Sequence, residues 1–213
     1  MAKLGKFITF EGIDGCGKTT QLRLLAQRMR DNGLPIIETI EPGGTEIGKQ
    51  IRRILLDAGN SALDARAELM LYFASRAQNV EQVIRPALAS STTVLCDRFT
   101  DSTLVYQGCG RGLESGSILE IDRFACRGLA PDLTILFDID LAASRERSIA
   151  RNQLSGTAET RIDDESAAFH ARVREGYHAL ARQFPERIHV VDGSRSIHDL
   201  AKLVWEQVEP LVR

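Results

Sequence analysis

Short β-rich apolar runs alternate along the chain with longer segments whose apolar positions recur at helical spacing. The runs are KFITFEG from Lys6, PIIETIE from Pro35, TTVLCDR from Thr92, PDLTILFDID from Pro131 and RIHVVDG from Arg187. TVLC and LTILF are continuously apolar rather than alternating, which predicts central parallel strands covered on both faces. Between the runs, KTTQLRLLAQRMRDNGL places Leu22, Leu25, Ala26 and Met29 on one stripe and stops at Gly33 before Pro35, the pattern of a helix with a glycine C-terminal cap. SALDARAELMLYFASRAQNVEQVIRPAL predicts a long helix that starts with Ser61 and Asp64 in capping-box spacing.

The order β-α-β-α-α-β-α-β-α-β-α predicts the α/β class: a doubly wound, five-stranded parallel sheet flanked by helices, with ligands beyond the carboxyl ends of the strands. At 213 residues and 43% hydrophobic, the chain is long enough for one sizeable core, and a single domain over residues 1–213 is expected. The stretch RNQLSGTAETRIDDES, Arg151 to Ser166, is polar and glycine-containing, and is expected to be a mobile surface segment.

Charge and cysteines narrow the classes without choosing among them. A net charge of -2 gives no global field for nucleic acid or an anionic membrane, so any bound anion must be held by local groups. Cys16, Cys96, Cys109 and Cys126 are widely spaced and form no metal-ligand pattern with the four histidines, as expected of free thiols in a reducing cytoplasm. The opening MAKLGKFITFEG has no signal-peptide character, and no run approaches the roughly 20 apolar residues of a membrane span. A soluble cytoplasmic protein is expected.

The stretch GIDGCGKT, Gly12 to Thr19, matches G-x-x-x-x-G-K-[ST] between a strand candidate and a helix candidate, the context that motif requires. By composition, chance would place the pattern in a chain of this length with a probability on the order of one per cent. Glycines are needed where backbone N–H groups curve around phosphate oxygens, and the following helix adds its positive dipole end. Lys18 would reach the β- and γ-phosphates and Thr19 would offer a hydroxyl to Mg²⁺. Gly12, Ile13, Asp14, Gly15, Cys16, Gly17, Lys18, Thr19 and Thr20 are therefore expected to cradle the phosphates of a nucleoside triphosphate, which is ATP if the resemblance below holds.

Two more clusters stand at strand ends. Asp97 and Arg98 follow the third run, and Glu41 with Gly43 and Gly44 follows the second. Beside a phosphate loop, Asp97 can hold Mg²⁺ through water and Arg98 can clamp a second phosphate. Composition and periodicity stop at a P-loop phosphotransferase.

EGIDGCGKTT, EPGGT, ELMLYFASRAQ, IRPAL, DRFTDSTLVYQGCGRGL, PDLTILFDID and TRIDDES occur in an order and spacing that resemble the bacterial thymidylate kinases, over nearly the whole chain. The resemblance implies a homodimeric nucleoside monophosphate kinase with the P-loop NTPase fold, which moves the γ-phosphoryl of MgATP onto dTMP. It implies that Arg98 and Arg52 hold the acceptor phosphate, with Glu41 nearby, and that Asp14 lies near the sugar 3′-hydroxyl. Arg76 would read the thymine edge with Thr103 and Gln107, and Tyr106 would pack against the 2′ position. Either Tyr72 or Phe73 would stack on the base, since neighbouring helical residues point about 100° apart.

The family divides over whether its helper arginine stands in the phosphate loop or in a lid. With Gly15 at the loop position, the resemblance assigns that duty to the lid, approximately residues 143–163. Lys18, Arg98, Arg147, Arg151 and Arg161 are the implied catalytic cations, Arg147 and Arg151 sharing a helical face. Arg145 reads as an ordinary charged helix residue. Thr160 stands where the family has Asp, and Ile40 where many members have Arg before EPGG. The alternatives are another P-loop kinase of a small acceptor and, from a different class, a non-catalytic nucleotide switch.

Overall fold

The structure, a computed structural model, describes residues 5–155 and 159–213. Strand β1 (Phe7–Glu11) leads through the glycine loop into α1 (Lys18–Asp31), followed by β2 (Ile36–Ile40), α2 (Glu46–Leu56) and α3 (Ala65–Asn79). Then come α4 (Arg85–Ala89), β3 (Thr93–Asp97), α5 (Thr100–Thr103), α6 (Ser115–Cys126) and β4 (Leu133–Asp138). The chain ends with α7 (Leu141–Ser155), α8 (Ala167–Gln183), β5 (Ile188–Asp192) and α9 (Ile197–Val212).

The five strands form one parallel sheet in the order β2-β3-β1-β4-β5, as the alternation of runs and helices predicts. Every residue of β1 and β3 is buried, whereas β2 and β5 at the edges are partly exposed, which explains why the inner runs are continuously apolar. Because β1 lies between β3 and β4, its carboxyl end sits at the topological switch point where such sheets bind ligands. The register sets Phe10 of β1 opposite Asp97 of β3, so the glycine loop and the Asp97–Arg98 corner leave the sheet side by side.

Helix α1 buries Leu22, Leu25, Ala26 and Met29 as its stripe predicts. It ends in a Schellman motif: Gly33 sits at φ 70, its N–H bonds the Arg30 carbonyl, and the Leu34 N–H bonds the Met29 carbonyl.

Two expectations are corrected. The long helix begins at Ala65, and its N-cap, three residues after Ser61, is Asp64, which accepts from the Arg66 N–H at 2.9 Å. It is also interrupted by a wide π turn over Val80–Ile84, where Pro86 cannot donate the next helical hydrogen bond. The segment from Arg151 is not a surface loop throughout. Arg151 to Ser155 complete α7, and Arg161 and Ile162 are buried, because the Arg161 guanidinium reaches Glu68 and the Leu55 carbonyl. Residues 156–158 of that segment, and of the expected lid, lie outside the described residues.

Candidate active site

The turn from β1 to α1 needs backbone angles that side chains resist: Gly12, Gly15 and Gly17 sit at φ 137, 75 and 96. Gly17 caps α1, and no side chain caps that helix or places an acid in its first turn. Its leading N–H groups and dipole are left to an anion. Lys18 is buried, with Nζ donating to the Gly12 and Ile13 carbonyls at 3.0 and 3.1 Å. Thr19 donates to Asp97 Oδ2 at 2.6 Å, joining the start of α1 to the end of β3.

These groups open into a cavity of about 450 Å³, within the usual range for small-molecule sites. Of the expected ATP-cradle residues, Asp14, Gly15, Gly17, Lys18, Thr19 and Thr20 line it, while Gly12, Ile13 and Cys16 form the loop's buried rear. Of the acceptor and metal residues, Glu41, Arg52, Tyr72, Arg76, Asp97, Arg98, Thr103, Tyr106 and Gln107 line it too. Arg147 and Arg151 come in from α7.

Arg98 follows β3 in the left-handed region, φ 71, with its N–H on the Phe10 carbonyl at 3.0 Å. That strained corner turns the side chain across the loop. One terminal nitrogen meets Asp14 at 2.9 Å and the Tyr106 hydroxyl at 3.3 Å, and the other meets Ser102 and Tyr177. Burial alone would raise the Asp14 carboxyl, but Arg98, with Lys18 and Arg151 behind it, holds it well below the usual carboxylate range. A carboxyl so depressed adds stability above its unfolded value of about 3.9 and loses it only as pH falls through the lower folded value. The stability difference between wild type and Asp14→Asn should therefore stay constant from about pH 8 to about pH 5, closing only in stronger acid. Thermal melts that converge between neutrality and pH 5 would contradict the ion pair.

The far wall is polar and buried. Arg76 donates to Glu41 at 2.5 Å and to Thr103 at 2.8 Å, and Asn79 donates to the other Glu41 oxygen at 3.1 Å. Tyr106 and Gln107 come from a π turn, Leu104–Gly110, which re-aims successive side chains after α5. The choice left open at 72 and 73 resolves into different surroundings: Tyr72 lines the cavity, and Phe73 packs into the core with Leu69 and Ile118. Burial pushes the Tyr72 hydroxyl up to about 12, so it stays protonated at any physiological pH.

The thymidylate kinase family model matches residues 10–204. The chain belongs to the thymidylate kinase family. Among its relatives, the thymidylate kinase of Geobacter sp. (strain M21) is 52% identical over 204 residues, covering 95% of this chain and 91% of that protein. That of Solidesulfovibrio magneticus is 46% identical over 208 residues, 97% of this chain and all of the relative. The crystal structure of thymidylate kinase from Ehrlichia chaffeensis superposes with a TM-score of 0.76 at 31% identity, covering 96% of this chain and 98% of that one.

Within this family frame, the glycine at position 15 acquires a neighbour. A Cβ there would lie 2.5 Å from the Ser144 carbonyl and 3.1 Å from Arg147 Cβ. The first turns of α7 thus press against the loop, and Arg147 enters the cavity where a side chain at 15 would have started. Arg151, one turn on, is half-exposed and paired with Asp163 at 2.8 Å. Arg145 is exposed on the outer side of the same helix and does not line the cavity. Arg161 is brought beneath the site rather than into it, where Glu68 holds it at 2.7 Å.

Glu11 and Tyr177 have no role in the sequence reading. Glu11 is fully buried and accepts from the Phe99 N–H, the Ser102 hydroxyl and the Tyr177 hydroxyl at 2.6 to 2.7 Å, bracing the corner that carries Arg98. Its signal was an acid closing an otherwise apolar strand run.

Proposed function

We propose that the chain is a dTMP kinase that transfers the γ-phosphoryl of MgATP to the 5′-phosphate of dTMP, giving dTDP and ADP. One observation carries this reading: a phosphate-binding helix N-terminus and the Arg98 clamp open into one cavity whose far wall is a buried Arg76, Thr103 and Gln107 edge. A nucleotide switch has no use for a second phosphate clamp joined to a base-sized polar wall.

The residues fit Mg²⁺ arriving with the triphosphate. Among the described residues no cluster of three or more acids, cysteines or histidines could hold an ion alone, and Thr19 with Asp97 offers the sparse hydroxyl and carboxylate set that Mg²⁺ uses beside phosphates and water. When bound, the metal neutralises phosphate charge. The remaining work falls to the chain itself. Lys18 and the α1 N-terminus hold donor phosphates, Arg98 and Arg52 hold the acceptor phosphate, and Asp14 orients Arg98. The acceptor oxygen is already ionised, so no general base is required and the chemistry rests on orientation and charge neutralisation. Residues 143–163 serve as the lid of a single kinase domain, with Arg147 and Arg151 as its cations and Arg161 as its anchor.

Purified protein assayed for ADP release is expected to prefer dTMP strongly over dUMP, UMP, CMP, AMP and GMP. A nucleoside lacking the 5′-phosphate that proved a better acceptor would replace this reading with a deoxynucleoside kinase.

A homodimer is proposed through α3 and α6, which expose Met70, Leu119 and Phe124, the last to 88%. Phe124→Glu should convert the dimer to a 23.6 kDa monomer in light scattering. An unchanged mass would move the interface elsewhere. No described helix is long and apolar enough to cross a membrane, and Cys16, Cys96, Cys109 and Cys126 are free thiols, as in the proposed cytoplasmic mononucleotide kinase.

A further inference from the structure

Glu68 lies behind the cavity wall, 1% exposed, and does not line the cavity. It collects an unusual set of donors for one carboxylate: Gln107 Nε2 at 2.8 Å, Arg111 Nε and Nη2 at 3.2 and 3.1 Å, and Arg161 Nη1 at 2.7 Å. Burial would raise this carboxyl, but the Arg111 and Gln107 hydrogen bonds and the Arg161 contact hold it below its ordinary value. It is therefore an acceptor with no hydrogen to give.

That fixes the Gln107 amide. The two ends of a glutamine amide are close in shape and opposite in polarity, and only the NH₂ end can face a carboxylate. A flip would press a carbonyl oxygen against the Glu68 carboxylate and leave that oxygen buried without a donor. The group Gln107 offers the cavity is its carbonyl oxygen. Beside it, Arg76 donates to the Thr103 oxygen, which leaves the Thr103 hydrogen free to donate. The wall thus presents a donor next to an acceptor.

We propose that Glu68 is a positioning residue that sets pyrimidine specificity by locking the polarity of the Gln107 amide. Thymine and uracil carry an acceptor at O4 next to a donor at N3–H, which complements this wall. Cytosine carries the reverse pair, an amino donor next to an acceptor N3, and meets a mismatch at both atoms. The same carboxylate holds Arg161 at the end of the lid segment, so the lid's anchor and the base-reading amide share one buried charge.

The inference rests on the dTMP kinase reading, and the test separates the two. Wild type must first phosphorylate dTMP in preference to dCMP; if it does not, the reading itself fails. In Glu68→Gln the amide partner can donate or accept, so the ratio of kcat/KM for dTMP over dCMP should fall roughly tenfold or more, while the dTMP to dUMP ratio stays unchanged. Arg111→Ala, which disturbs the same cluster but spares the Glu68 to Gln107 bond, should lower thermal stability without moving the dTMP to dCMP ratio. An unchanged ratio in folded Glu68→Gln, or an equal shift in Arg111→Ala, overturns the proposal. Should Glu68→Gln fail to fold, wild-type NMR decides: the Gln107 side-chain amide protons should exchange slowly with and without dTMP, and protons protected only when dTMP is bound would show that they face the base.

Discussion

Replacing Arg147 and Arg151 together with alanine is expected to lower kcat for dTMP about 10³-fold while leaving KM for dTMP within about threefold. Charge builds on the oxygens around the γ-phosphoryl only as it moves, so cations placed for that moment act on kcat rather than on acceptor binding. The two arginines are built into one face of α7, and α7 is pressed against the phosphate loop at Gly15, where a Cβ would meet the Ser144 carbonyl at 2.5 Å. Each single substitution should cost less than the pair, because both enter the same cavity. Arg151 has to leave or share Asp163 to reach a phosphate, and its half-exposed side chain is free to do so. Arg145→Ala, on the outer side of the helix, should behave as wild type. Steady-state kinetics at saturating ATP checks this. A KM raised tenfold with kcat intact would place the arginines in ground-state binding, and an unaffected double variant would remove the lid from catalysis.

Many of the residues that line this cavity stand out in the sequence because they sit at strand ends, and strand ends are the places where sequence pattern changes most sharply. The glycine loop, the Asp97–Arg98 corner and the five inner and edge strands are local features, each set by a few consecutive residues. What sequence could not supply was the partner of each charge across the fold. Arg161 carries the family's lid arginine motif, yet its position is decided by Glu68, 93 residues earlier, and by the Leu55 carbonyl. Phe73 and Tyr72 have similar side chains and adjacent positions, and only the packing of α3 against α6 sends one inward and the other to the cavity. Ser61 and Asp64 stand in capping-box spacing, yet Asp64 is itself the N-cap, because its carboxylate accepts from the Arg66 N–H and the helix starts only at Ala65. Glu11 and Glu68 were invisible for the same reason: a buried acid is costly until its donors are known, and its donors lie far away in sequence.

Replacing Arg76 by alanine is expected to damage stability and recognition together, and the two can be separated. Arg76 and Glu41 are each 2% exposed and bonded at 2.5 Å, and the guanidinium also lies 4.9 Å from the Phe99 ring and 5.1 Å from the Phe73 ring. Removing one partner leaves Glu41 buried with only Asn79 donating to it, a loss of about 3 to 5 kcal/mol, or about 10 °C in Tm for a chain of this size. Lysine should not rescue, since a single ammonium cannot serve Glu41 and Thr103 at the fixed angles of the planar fork. Removing both charges, as in Arg76→Met with Glu41→Gln, should restore most of the melting temperature, because an uncharged pair of similar volume leaves no unpaired charge buried. The same double variant should still use dTMP at least about 100-fold less efficiently in kcat/KM, because the guanidinium that lines the cavity and fixes the Thr103 hydroxyl is gone. If the double variant regained both stability and dTMP turnover, Arg76 would be a structural residue, and recognition of the thymine edge would fall to Thr103 and Gln107 alone.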